Sequence, residues 1–169
     1  LEQNEFVTQM RQQVQASSLR SLLVNVNGFR ERFPSALRKT AFLSHVLDID
    51  SPVMVFDWPG DQGSTPRGYR RAQGIASESG AELAQALELI IRQVQPDRLW
   101  LVANSMGAQV VVHAFSLLYR QADLSDAQTE IENVVLTAPD VDKEEFTNQF
   151  KQEIASIARN LTVYVSSND

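Results

Sequence analysis

Leu101-Val102-Ala103-Asn104-Ser105-Met106-Gly107 carries an apolar strand straight into a helix, with a serine at the join. Residues 99–103 (LWLVA) form an apolar run of strand length. Residues 106–121 are apolar nearly all round, the pattern of a buried helix. The seven residues approximate Gly-x-Ser-x-Gly, in which the serine stands on a sharp strand-to-helix turn and its oxygen is pushed out above the sheet. Backbones crowd at such a turn, so small residues are needed two before and two after the serine. Ala103 and Gly107 meet that need, with Ala standing where the pattern has its first Gly. The N-terminus of the following helix offers unpaired N–H groups and the positive end of a dipole. Both suit the oxyanion that develops in acyl transfer.

On either side of this stretch strands and helices alternate. Ser21–Val26 (SLLVNV), Val53–Phe56 (VMVF), 131–136 and 161–165 (LTVYV) read as further strands, bounded by turn residues. Helices are expected over 4–17, 35–47, 77–94 and 142–158. The helix over 77–94 rests on Ala84, Leu87, Ile90, Ile91 and Val94 recurring along one face. Residues 58–68 (WPGDQGSTPRG) read as the longest loop, and 58–70 as a partial lid with Tyr69 over the site. This alternation predicts a single α/β domain over 1–169, a three-layer sandwich with helices on both faces of a mainly parallel sheet of about five strands. Ligands of such sheets bind outside the carboxyl ends of the strands. The loops that matter are therefore 27–30, 57–63, 104–107, 140–142 and 168–169.

The turn after the first strand, Asn27-Gly28-Phe29, is expected to supply a second oxyanion donor. Gly28 allows a close backbone approach beside the substrate, and the Phe29 N–H would pair with the Met106 N–H. Trp58 follows the second strand and has two readings: it lines a substrate pocket, or it plugs a loop against the core. Asp57 reads as an end-of-strand turn residue.

Composition narrows the chemistry. With 43% hydrophobic and 21% charged residues, the 169-residue chain is neither disordered nor collagen-like. It has no cysteine, which excludes thiolate nucleophiles, disulfides and zinc–thiolate sites. His45 and His113 lie far apart, so no metal site is expected. A dinucleotide cofactor calls for Gly-x-Gly-x-x-Gly after the first strand, where 27–34 has a single Gly, and no cofactor is expected. The formal charge of −6 sets the chain against nucleic acid, and Arg67, Arg70 and Arg71 read as solvated surface. No apolar run approaches the ~20 residues of a membrane helix, and no signal-peptide pattern is present. Nothing chooses between the cytoplasm and export, or fixes an oligomeric state.

Five short segments together resemble a known family. They are Val24-Asn25-Val26-Asn27-Gly28-Phe29, Phe56-Asp57-Trp58-Pro59-Gly60, Ala103-Asn104-Ser105-Met106-Gly107, Ala138-Pro139-Asp140-Val141-Asp142 and Tyr164-Val165-Ser166-Ser167-Asn168-Asp169. In order and spacing they are similar to the motifs of the mostly bacterial, lipase/esterase-like α/β hydrolases of unknown function, from about residue 21 to the last. The resemblance implies a strand order of 2-1-3-4-5. It implies Ser105 as nucleophile, Asp169 as acid with Asp140 or Asp142 as fallback, and a small-molecule acyl substrate cleaved through an acyl-enzyme. Asp140 otherwise reads as a turn residue after Pro139.

The chain departs from the family at three places. Asn27 and Asn104 stand where histidines are usual, and Asp57 where Ser is common. The superfamily order is Ser, acid, His, and no histidine follows Asp169. His113 lies eight residues after Ser105 on one helix, roughly 12 Å along its axis. That is too far for a proton transfer over ~3 Å. His45 falls late in a helix running toward the other end of the sheet. The expectation is thus a C-terminally incomplete serine hydrolase, without the final strand and helix that carry the base. The competing expectation is a hydrolase-fold binding module.

Overall fold

The computed structural model describes residues 2–124 and 127–165. Five parallel strands, β1 (Ser21–Val26), β2 (Val53–Phe56), β3 (Arg98–Asn104), β4 (Glu130–Thr137) and β5 (Ala158–Tyr164), form one sheet in the order β2-β1-β3-β4-β5. This is the expected order, and it puts the switch of direction between β1 and β3. The register pairs Val26 with Ala103, Ala103 with Leu136 and Leu136 with Val163. The turns that follow β1, β3 and β4 therefore begin side by side.

The helices are α1 (Gln3–Ala16), α2 (Phe33–Leu47), α3 (Pro66–Leu89), α4 (Gly107–Gln121), α5 (Lys143–Glu145) and α6 (Lys151–Ala155). A π-helical segment, Ile90–Val94, continues α3, and another, Phe146–Phe150, joins α5 to α6. Alternate residues of the central strands are fully buried: Leu22, Val24 and Val26, Leu99, Leu101 and Ala103, Val134 and Leu136. Their period of two puts them on one face, where Val110, Val111, Ala114 and Phe115 of α4 complete the core. Burying a side chain such as Phe115 contributes about 1.5–3 kcal/mol. On the opposite face Asn25 donates to Thr40 Oγ1 of α2 at 2.7 Å, while Phe42 and Val46 of α2 stay exposed.

β1 and β2 have the expected bounds, and the larger differences lie in α3, the 58–70 loop, the helix expected over 142–158 and β5. Helix α3 starts at Pro66, eleven residues before the expected 77, because Thr65 Oγ1 accepts from the Gly68 N–H at 3.1 Å and Pro66 sits at the first helical position. The expected lid over 58–70 is accordingly cut short, and Tyr69 stands on a helix rather than in a loop. The helix expected over 142–158 is broken into α5, its π-helical continuation and α6, and β5 begins at Ala158 instead of 161. Among the described residues no helix is long and apolar enough to cross a membrane.

Candidate functional site

Ser105 stands between the end of β3 and the start of α4 with φ at 51°, in the left-handed region that residues with a Cβ avoid. Such a conformation persists only when neighbours fix it. Three backbone hydrogen bonds do so. The Ser105 N–H donates to the Thr137 carbonyl (3.0 Å), and the Ser105 carbonyl accepts from the N–H groups of Ala108 (3.0 Å) and Asp140 (3.1 Å). The side chain is half-buried, and its hydroxyl has no hydrogen-bond partner among the described residues.

Two glycines make the crowding tolerable. A Cβ on Gly107 would lie 2.6 Å from the carbonyl oxygens of Val26 and Asn27, so only glycine lets α4 begin against the end of β1. A Cβ on Gly28 would lie 3.0 Å from both the Asn104 carbonyl oxygen and Ser105 Cβ. The turn after β1 thus rests directly on Ser105. The N–H groups of Phe29 and Met106 have no acceptor among the described residues. They are open donors beside the serine, joined by the positive end of the α4 dipole.

A third turn closes the site. The Tyr69 hydroxyl donates to Asp140 Oδ2 at 2.5 Å, and its ring meets Phe29 edge-on, with centroids 5.5 Å apart at 86°. Burial first, and then the hydrogen bond and charge of Asp140, push the Tyr69 hydroxyl up to about 12, so it stays a proton donor at neutral pH. Ala138, at the start of this turn, also has positive φ (42°), and its N–H donates to the Tyr164 carbonyl at 2.7 Å. The Tyr69–Asp140 pair escaped the sequence reading because its members are 71 residues apart. The cap signal Thr65-Pro66 was the one local clue that Tyr69 is helical.

The remaining expected residues fall as follows. Trp58 is buried, and its Nε1–H donates to the Asn27 carbonyl at 2.7 Å. Trp58 belongs to the buried core cluster and braces the Asn27-Gly28 turn. Asp142 Oδ1 accepts from the Glu145 N–H at 2.9 Å and caps α5. Asp169 lies outside the described residues. Asn104 is exposed and donates to Thr137 Oγ1 at 3.0 Å, whereas Asn27 is buried with its Nδ2 unpaired among the described residues. His45 is exposed on α2. His113 packs edge-on to Phe150 at 5.5 Å, and burial holds its pKa below the ordinary value against the opposing pull of Glu145 and Glu153. Neither histidine bonds to Ser105. Burial pushes the Asp57 carboxyl up.

A cavity of about 320 Å³ lies beside the elbow on the α2 face, lined by Asn27, Gly28, Asn104 and Thr137 with Phe42 and Val46 of α2. A larger cavity, about 780 Å³, opens at the other end of the sheet between Leu118, Glu130 and Ile157, away from Ser105. Among the described residues no group of three or more His, Asp or Glu side chains is gathered so that it could hold a metal ion.

The family model for alpha/beta hydrolases of unknown function (DUF900) matches residues 2–169. The chain belongs to that family. Among solved structures it is similar to a candidate hydrolase from Agrobacterium vitis S4, with 20% identity and a TM-score of 0.46. That similarity covers 80% of this chain and 50% of the other, so the chain spans half the length of that protein. No curated protein matches significantly. The alpha/beta-hydrolase family and the sheet order β2-β1-β3-β4-β5 agree on the fold.

Proposed function

We propose that this alpha/beta hydrolase is a serine hydrolase that cleaves a small ester or related acyl compound through an acyl-enzyme, with Ser105 as nucleophile. The observation that carries the proposal is the strained turn at Ser105, whose hydroxyl stands beside two amides, all three unpaired among the described residues. Attack by Ser105 Oγ on an acyl carbonyl places negative charge on the carbonyl oxygen. The Phe29 and Met106 N–H groups would hold that oxygen, and losing one such donor costs about 10²–10³ in rate. Collapse of the intermediate expels the alcohol, which takes up a proton. Water then attacks the acyl-serine, releases the carboxylic acid and frees the hydroxyl. By the superfamily order the acid would be Asp169 and the base a histidine.

A second reading, a binding module that keeps the fold without turnover, has one observation in its favour. Asn27 and Asn104 stand where the family usually has histidines, and neither described histidine bonds to Ser105. One experiment separates the two. A fluorophosphonate should label Ser105 of the full chain, and Ser105→Ala should abolish the label. Labelling that survives the substitution overturns the nucleophile. A folded protein that takes no label and does not turn over p-nitrophenyl butyrate is the binding module.

A further inference from the structure

We infer that Tyr69 is a positioning residue of the Ser105 site: a single side chain that ties the turn after β1 to the turn after β4 and, through both, holds the elbow in its strained form. This rests on Ser105 being the nucleophile. Tyr69 reaches the two turns by different atoms. Its ring bears on Phe29, whose N–H is one proposed oxyanion donor, and its hydroxyl bonds Asp140 Oδ2 at 2.5 Å. Asp140 in turn donates its N–H to the carbonyl of Ser105 at 3.1 Å. Both Ser105 and Ala138 have positive φ, so the two turns are held by contacts rather than by backbone preference.

Tyr69 itself is fixed from behind. It lies in the first turn of α3, its N–H donating to the Thr65 carbonyl at 2.9 Å. The anchor is thus a capped helix rather than a free loop, and a donor held at about 12 stays protonated across the neutral range. Releasing the hydroxyl frees the Asp140 turn, loosens the hydrogen bond to the Ser105 carbonyl and lets the nucleophile drift from the two amides. A misplacement of about 1 Å at a reacting centre costs up to about a hundredfold.

The test measures kcat and KM for p-nitrophenyl butyrate, and the fluorophosphonate labelling rate, on the full chain. Tyr69→Phe keeps the ring on Phe29 and removes the hydroxyl. It should lower kcat and labelling about tenfold, with KM within about twofold. Asp140→Ala should do the same, and the double variant should be no worse than either single, because the two side chains act as one unit. Asp140→Asn keeps an acceptor for the Tyr69 hydroxyl and should restore the rate to within about threefold.

An unchanged kcat in Tyr69→Phe, or a rise in KM alone, overturns the inference. So does a loss of about 10³ or more in Asp140→Asn, which would make Asp140 the triad acid instead. Should Asp140→Ala fail to fold, Tyr69→Phe and Asp140→Asn decide between them. If wild-type protein is not labelled at Ser105, the nucleophile proposal fails and this inference with it. If it is labelled and Tyr69→Phe matches it, only the inference fails.

Discussion

Among the described residues, six that are not glycine have positive φ, and they divide between the two ends of the sheet. Arg20, Asp48 and Gln95 lie where the chain enters β1, β2 and β3; Arg30, Ser105 and Ala138 lie where it leaves β1, β3 and β4. At the entering end Asp48 caps α2 and Gln95 caps the segment Ile90–Val94, positions where the left-handed conformation is an ordinary way to stop a helix. At the leaving end none of the three stops a helix. Each sits in a turn held by long-range hydrogen bonds: Arg30 N–H to the Gly60 carbonyl, Ser105 N–H to Thr137 and Ala138 N–H to Tyr164. Two of the three residues at the entering end thus stop helices, whereas the three at the leaving end shape the turns around Ser105. The first use needs only local sequence, and the second needs the assembled sheet.

Replacing one residue at each end probes that contrast. Ser105→Gly relieves the left-handed strain and removes the nucleophile. Acyl transfer should fall by about 10³ or more, while stability against urea rises by about 1 kcal/mol. A simultaneous loss of stability would mean that Ser105 is not held against its preference. Next in size, Gly107→Ala drives a methyl group into the Val26 and Asn27 carbonyls. It should cost about 3 kcal/mol in urea unfolding and impair labelling of Ser105. An alanine tolerated there would show that the β1 turn does not rest on the elbow.

A smaller effect is expected from pH. Burial lowers the His113 pKa, so on acidification the unfolded chain takes the proton first. Stability should therefore fall as pH drops below the ordinary histidine value of about 6.5, and His113→Gln should flatten that slope. A steeper slope in the variant would contradict the burial. Smallest is Asp48→Gly at the entering end, where a cap residue already tolerates the conformation. A gain of about 0.5 kcal/mol, with labelling unchanged, is the expected outcome of matched unfolding curves.

What the sequence disclosed, and what it did not, follows the same division. The strands, their order and the elbow were legible because each leaves a local pattern: the apolar run 99–103, the Gly28 turn, the small residues around Ser105. The order also drew on the family resemblance. Helix α3 was read late because 66–76 (PRGYRRAQGIA) holds two glycines and three arginines and shows no apolar stripe; only its cap announces it. Trp58 kept two readings because plugging and lining differ only in what stands opposite, and the Asn27 carbonyl that takes its N–H is 31 residues away. Tyr69 and Asp140 meet across 71 residues, beyond any pattern of spacing. The acid assigned to Asp169 rests on the resemblance alone.

The most direct test of the central claim is a crystal structure of the full chain after reaction with a fluorophosphonate. The account predicts phosphorus bonded to Ser105 Oγ and its oxygen within about 3 Å of both the Phe29 and the Met106 amide nitrogens. An adduct whose oxygen turns to solvent, or bonds the Tyr69 hydroxyl in place of the amides, would contradict it.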